Sequence, residues 1–393
     1  MTKNNLFSAI KNPKIIIVLL ILIIASIQRV QLFYQIGGDS NTYINAVTDF
    51  IEGENPYKNT VASFNNLDSD PGNKGFAYLP GLLYLNSFLM SLFLYVNKAA
   101  FPCDQTLHLG VNGCVPLNYF WKIPVLLADL GIGILLVKEL YKKNYLALIF
   151  SLLFWYINPF IYLKRDYITS DPIPMFFMML ALFYLKKDDV ISGASYALAI
   201  AFKSFPVLLF PLFLLKSKSK VKFLTAGFII ALVMSIPFMT SFDNFWTYIQ
   251  GSLLVHGHRF VQGRPLLYYI SYYYKVELFR IISFETYTYL STFFGWLLIL
   301  LFYATKLSRN KYFLSLLSFA SFYVFTPVLN RTYMLWFIPI LLLGLYHVFF
   351  EAQLFQKYAK HKQVMFYMVL LTFWGFYYWY LAQWNEGFHI WHP

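Results

Sequence analysis

Apolar positions in this chain come in long runs, not in the three-to-four spacing of a surface helix or the alternation of a half-buried strand. Lys14 to Tyr34 is almost unbroken, and further runs fall at 79–97, 119–138, 144–163, 172–186, 221–240, 283–304, 312–326, 332–350 and 364–382. About 18 apolar residues fill the hydrocarbon core as a helix, and helices are the default there because each backbone polar group is satisfied within its own segment. Two shorter pieces, 191–202 and 205–215, flank Lys203, Ser204 and Pro206. The pattern predicts an all-α, polytopic transmembrane helical protein, a single domain over residues 1–393 with about 11 membrane segments. The first run is too long for the core of a signal peptide and lacks a small-residue cleavage site, so it is read as a retained anchor.

Composition agrees: 59% of residues are hydrophobic, 21% aromatic and only 12% charged, where soluble domains carry about 25% charge. The net charge of +13 raises the question of nucleic acid, and its distribution answers it. Six clusters between the apolar runs hold 18 of the 31 basic residues: Lys3, Lys11 and Lys14; Lys138, Lys142 and Lys143; Lys186 and Lys187; Lys216, Lys218, Lys220 and Lys222; Lys306, Arg309 and Lys311; Lys357, Lys360 and Lys362. That is the positive-inside pattern, so these loops and the N-terminus are placed in the cytoplasm and no nucleic-acid partner is expected. By parity, 35–118 is then one long external segment, within which 79–97 is read as an interfacial or re-entrant helix. The stretches 164–171, 241–281 and 326–332 and the tail from Gln383 are also external, and Lys203 marks the turn of a hairpin that enters and returns. Cys103 and Cys114, both external, are close enough in sequence to pair or to stay as two thiols.

Most of the acids fall in the external segments, so chemistry is sought there. Asp39 follows Gly37-Gly38 just beyond the first run; it reads either as a general base toward an incoming hydroxyl or as the cap of a helix over 41–52. Lys203 is an ammonium at membrane depth, costly unless paired or hydrated, and reads as a phosphate or carboxylate partner or as a snorkelling side chain. "VHGHRFVQGRPLLYY", 255–269, brings His256, His258, Arg259 and Arg264 together, which suits a phosphate clamp or a plain polar loop. No third ligand accompanies the two histidines, so no metal is expected. Lys122 and Asp129 lie seven apart on one helix face and read as partners for other helices. Arg165, Asp166 and Asp171 form a short charged loop. No P-loop, GxSxG, HExxH or dinucleotide fingerprint is present.

The order of these pieces resembles the C-type (GT-C) superfamily of polyprenyl-phosphate-sugar-dependent glycosyltransferases, nearest the family-87 and GPI mannosyltransferase I patterns. The resemblance is carried by "GGDSNTYINAVTDFIEGENPY" (37–57), "FAYLPGLLYL" (76–85), "FWKIPVLLADLGIGILL" (120–136), "GASYALAIAFKSFPVLLFPLFLL" (193–215) and "FTPVLNRTYMLWFIPILLL" (325–343). It implies a GT-C-type fold in which a lipid-phosphate sugar donor enters from the bilayer and an external Asp, here Asp39, activates the acceptor for an inverting displacement. It also implies cations against the departing phosphate, assigned to His258, Arg259 and Arg264, with Lys203 and His256 as further contacts. Asn41, Tyr43, Tyr57, Asp171 and Tyr333 are assigned to the sugar and acceptor, with Asp49 and Asp171 held as alternative bases. Where the GPI enzyme has Asp-x-Asp this chain has Asp39-Ser40-Asn41, so no divalent cofactor is expected. The partners implied are a polyprenyl-phosphate-sugar, a lipid or glycan acceptor and the plasma-membrane lipids; mannose is the sugar the resemblance favours. A transporter or flippase, and a ligase of the O-antigen type that uses one late loop, are the competing readings.

Overall fold

The computed structural model describes residues 12–33, 39–65, 75–96, 115–157, 170–255, 261–263, 265, 284–326, 328–329, 331–352, 361–383 and 390–391. Helix α1 (Pro13–Val30) starts at Asn12, whose side chain accepts from the Lys14 backbone N–H, with Pro13 in the first turn, where its missing donor costs nothing. Helices α2 (Asp39–Ile51), α3 (Tyr57–Asn65) and α4 (Pro80–Val96) follow, then α5 (Val115–Leu140) and α6 (Tyr145–Tyr156). Next come α7 (Pro172–Tyr184), α8 (Asp189–Phe202), a 3-10 turn Phe205–Leu209 leading into α9 (Phe210–Lys216), and α10 (Lys220–Ser235). The chain continues through α11 (Phe242–Ser252), α12 (Phe284–Ala304), α13 (Lys311–Phe325), α14 (Ile338–Tyr346) and α15 (Lys362–Gln383).

Among the described residues, four helical stretches are long and apolar enough to cross a membrane: Pro13–Val30, Tyr119–Leu140, Lys220–Phe238 and Thr332–Glu351. Seven further apolar stretches of the described residues have 10–17 residues, so helix length does not by itself support eleven crossings. The described helix of the run 144–163 is α6, and 332–350 forms one of the four long stretches although it is built from a 3-10 turn, α14 and a π turn His347–Glu351.

The hairpin around Lys203 is closed at its base. Asp188 caps α8 through the N–H groups of Val190 and Ile191, while the Asp189 carboxylate accepts from the N–H groups of Lys218 and Ser219 at 3.2 and 2.6 Å. Tyr196 of α8 meets Phe213 of α9 ring to ring at 4.4 Å, so the two arms run antiparallel. Gly193 lets α10 approach, since a Cβ there would stand 2.2 Å from the Phe223 carbonyl oxygen.

A second fastening is electrostatic. Arg29 of α1 donates to the Asp129 carboxylate of α5 at 2.7 Å, and both side chains are almost wholly buried. The same carboxylate accepts from Trp155 Nε1 at 2.7 Å, and Arg29 reaches the Tyr156 carbonyl at 2.9 Å. Asp129 is therefore a partner for two other helices, as its place in an apolar run suggests. Lys122, one of the other intramembrane charges, is also buried.

The two ends of the bundle differ. Lys143 pairs with Glu351 at 2.8 Å, Lys311 lies 3.9 Å from Glu139, and Lys216 donates to the Arg309 carbonyl, which gathers the basic clusters at one end. Near the opposite end is a small three-stranded sheet, which departs from an all-helical expectation. Its central strand β1 (Val261–Gly263) pairs in parallel with β2 (Val328–Leu329) and antiparallel with β3 (Ile390–Trp391). These strands come from the 241–281 loop, the 326–332 turn and the tail, three segments that charge parity places on a common side. Two or three residues per strand leave no readable period, which is why the pairing is invisible in the sequence.

Candidate active site

Asp171 stands at the start of α7, where a carboxylate ordinarily caps the helix, yet it makes no side-chain capping bond. Its Oδ1 accepts instead from Lys203 Nζ at 2.5 Å and from Trp336 Nε1 at 3.0 Å. Asp171 is 0% exposed and the Lys203 side chain 15% exposed. The other carboxylate oxygen, Oδ2, is buried and has no hydrogen-bond partner among the described residues. A buried acceptor without a donor costs about 1–3 kcal/mol, a cost that a ligand hydroxyl would remove.

Lys203 holds its place because α8 stops there: its backbone is extended (φ −161°, ψ 141°) and the following Ser204-Phe205-Pro206 turns the chain back. Its ammonium lies 5.6, 5.5 and 5.1 Å from the ring centres of Tyr78, Tyr333 and Trp336, distances suited to cation–π attraction. Trp336 is itself fixed by stacking on Phe205 at 4.2 Å and Tyr333 at 3.9 Å. Tyr323 Oη donates to the Tyr333 carbonyl, tying this aromatic layer to α13.

Helix α2 reaches the same place. Tyr43, one helical turn after Asp39, packs on Tyr78 with ring centres 5.5 Å apart. Helix α4 begins alongside: a Cβ on Gly81 would stand 2.8 Å from the Ala201 carbonyl oxygen, two residues before Lys203. From the other side β1 brings the late loop in, since Gly263 is paired with Leu329, four residues before Tyr333. Helix α2, the Lys203 turn and strand β1, far apart in sequence, thus converge on the segments that hold Tyr78, Lys203 and Tyr333.

The fate of each expected site residue follows. Lys203, Asp171 and Tyr333 come together. Asp39 is the first residue of α2 and Asn41 lies in its first turn. Both side chains, together with His256, His258, Arg259 and Arg264, lie outside the described residues, as do Arg165, Asp166, Cys103 and Cys114. Tyr57 is corrected: its ring is 0% exposed, held 5.2 Å from Phe238 and 5.3 Å from Tyr248, with its hydroxyl donated to the Tyr78 carbonyl. It clasps α3 to α11 and offers no face to a sugar. Tyr43 is likewise buried and supports Tyr78. Asp49 accepts from Asn59 Nδ2 at 2.9 Å, and burial, with Glu52 and Glu54 nearby, pushes its carboxyl above the usual carboxylate range. It is ten residues along α2 from Asp39, about 15 Å at helical rise, and makes no hydrogen bond or ion pair with Asp171 or Lys203.

Two side chains were not foreseen as parts of the site, Trp336 and Tyr78. Each sits inside a stretch the resemblance singles out, "YMLW" and "FAYLP", so the signal was a motif and not a charge. Among the described residues no group of three or more His, Cys, Asp or Glu side chains gathers with metal-binding geometry.

No curated protein matches the chain. Residues 118–329, which contain Asp171, the Lys203 hairpin and β1, match the model of glycosyltransferase family 87. The match covers more than half of the 393 residues, and the chain belongs to that family of membrane glycosyltransferases.

Proposed function

We propose that this glycosyltransferase moves a hexose, mannose in the first instance, from a polyprenyl-phosphate donor to a lipid-linked or glycan acceptor on the external face. The observation that carries the reading is the Lys203–Asp171–Trp336 cluster with its unsatisfied Oδ2, built where the first external segment meets the late loop. Depth supports a lipid-borne donor. The helices α7 and α8 that lead to the pair from the basic end have 13 and 14 residues, about 20 Å of rise against a hydrocarbon core of about 30 Å. The pair then lies below the opposite headgroups, at a level that a glycosyl phosphate can meet by sliding in from the bilayer.

In this mechanism Asp39 takes the proton of the acceptor hydroxyl as that oxygen attacks the anomeric carbon, and the polyprenyl phosphate leaves from the opposite face with inversion. Negative charge grows on the leaving phosphate, and His258, Arg259 and Arg264, which flank β1, stabilise it, with His256 alongside. Lys203 gives one of its three donors to Asp171 and keeps two for substrate. Because Asp171 cancels its charge, Lys203 positions more than it attracts. Asp171 Oδ2 accepts a hydroxyl of the transferred sugar or acceptor, with Tyr333 at its side. No metal takes part. Family membership leaves the transporter and flippase readings without support.

The test is transfer of radiolabelled mannose from polyprenyl-phosphate mannose in proteoliposomes. Asp39→Asn keeps the shape and removes the base, and turnover is expected to fall by about 10²–10⁴-fold. A variant that kept near-full turnover would dismiss Asp39 from the role.

A further inference from the structure

The bundle end away from Asp171 is basic, and several of its cations are without an acid among the described residues. Lys216 Nζ and the Arg309 guanidinium flank the Tyr303 ring at 5.4 and 5.6 Å, and Lys216 donates to the Arg309 carbonyl. Lys187 and Lys138 lie 3.3 and 5.7 Å from the Phe183 ring centre, and Lys311 donates to the Leu182 carbonyl in the last turn of α7. The nearby acids are committed: Glu139 to Tyr312 and Lys311, Glu351 to Lys143 and His347, and Asp188 and Asp189 to backbone caps. Lys138, Lys186, Lys187, Lys216 and Arg309 have no carboxylate within 4 Å among the described residues.

Two further facts bear on what answers this charge. Lys186 and Lys306 end their helices in the left-handed conformation, with φ of 72° and 59°, where glycine is the unstrained choice. Lys216, just beyond the apolar segment 205–215, is pushed down to about 8 by burial and by the charges of Lys186 and Arg309. An anion seated between these groups would relieve that repulsion. The surface beside them is apolar: Leu300, Leu301 and Leu307 are 46%, 48% and 72% exposed, and Leu307 lies between Lys306 and Arg309 in the chain. A soluble phosphate has no use for those leucines, whereas a phospholipid places a phosphate on the cations and acyl chains on the leucines.

We infer that Lys186, Lys216 and Arg309, with Leu300 and Leu307 beside them, bind the headgroup and upper acyl chains of an anionic phospholipid. The site is separate from the transfer centre and does not rest on the proposed donor. Lys186 and Arg309 are both exposed, so Lys186→Gln/Arg309→Gln removes two charges without touching the core. The full-length protein in nanodiscs would be titrated with phosphatidylglycerol against phosphatidylcholine and bound lipid counted by native mass spectrometry, with a parallel arm in millimolar inorganic phosphate. The wild type is expected to prefer phosphatidylglycerol and the variant to lose about fivefold per charge, roughly 25-fold for the pair. Lys220→Gln/Lys222→Gln, exposed at the same end but outside the cluster, is expected to keep the preference. An equal loss in that control would make the effect one of total charge and overturn the inference. So would an unchanged preference in Lys186→Gln/Arg309→Gln, or displacement of the lipid by inorganic phosphate alone.

Discussion

The Lys203–Asp171 pair is open to a double-mutant cycle built from Asp171→Leu and Lys203→Met. Asp171→Leu strands an ammonium in a largely closed site, and breaking a buried ion pair by removing one partner costs about 3–5 kcal/mol. Two smaller effects accompany it. Trp336 Nε1 loses a hydrogen bond to a charged acceptor, worth about 1.5–3 kcal/mol, while the unpartnered Oδ2 disappears and returns about 1–3 kcal/mol. They nearly cancel, so the single substitution is expected to cost about 3–5 kcal/mol. Lys203→Met leaves a buried carboxylate holding only Trp336 and should cost about the same. The double variant replaces the pair by apolar groups of similar volume and is expected to recover most of the loss, giving a coupling of about 3 kcal/mol or more. The midpoint of unfolding in mixed detergent–SDS micelles reads each corner, and transfer of labelled sugar from the proposed donor in proteoliposomes reads function. The double variant should be folded and transfer sugar at no more than about 1% of wild type, the lower end of the effect of one positioned catalytic contact. A coupling below about 0.5 kcal/mol, the level of independent sites, would mean that no ion pair forms. A stable double variant with full activity would remove the cluster from the transfer site altogether.

Two other substitutions separate scaffold from site. Gly81→Ala puts a Cβ 2.8 Å from the Ala201 carbonyl oxygen, and because backbone cannot rotate aside, α4 must shift beside Lys203 at a cost of about 1–3 kcal/mol. Transfer should fall with it, whereas Gly375→Ala, where nothing lies within 4 Å, should leave both unfolding midpoint and turnover as they are. Arg29→Met strands the Asp129 carboxylate and should lower stability by about 3–5 kcal/mol. Because Arg29 shares no hydrogen bond or ion pair with Asp171 or Lys203, KM and turnover per folded molecule are expected to hold, and a raised KM would contradict that separation.

What could be read from the sequence and what could not divides along a physical line. The gathering of Lys143, Lys216, Arg309 and Lys311 at one end follows from charge and parity, which are properties of the chain taken in order. The same parity argument puts 241–281, 326–332 and the tail on a common side, but the sheet that joins β1, β2 and β3 carries no mark in strands of two or three residues. Asp129 as a helix partner follows from the cost of an isolated charge in an apolar run, although its partner Arg29, 100 residues earlier, carries no mark. Pairings of this kind are set by tertiary contact alone. Asp171 is the clearest instance: before Pro172 and an apolar run, its local chemistry is that of a cap, and nothing nearby says that its carboxylate serves Lys203 and Trp336 instead.

Tyr57 shows the converse error. An aromatic in an Asn-Pro-Tyr turn beside a candidate base looks like a sugar-stacking surface, because the residue type suits both stacking and packing. Burial decides between them, and it belongs to Phe238 and Tyr248, which the sequence places almost two hundred residues away. The buried Tyr57 nevertheless bears on function through its hydroxyl. By holding the Tyr78 carbonyl at 2.8 Å it fixes the ring that meets both Tyr43 of α2 and the Lys203 ammonium. The candidate site is therefore positioned by a core contact, and the order of dependence runs from α11 through Tyr57 and Tyr78 to Lys203 and Asp171. A site assembled in this way is sensitive to packing changes well away from the reacting groups, since a displacement of about 1 Å at a positioned group is enough to cost two orders of magnitude in rate.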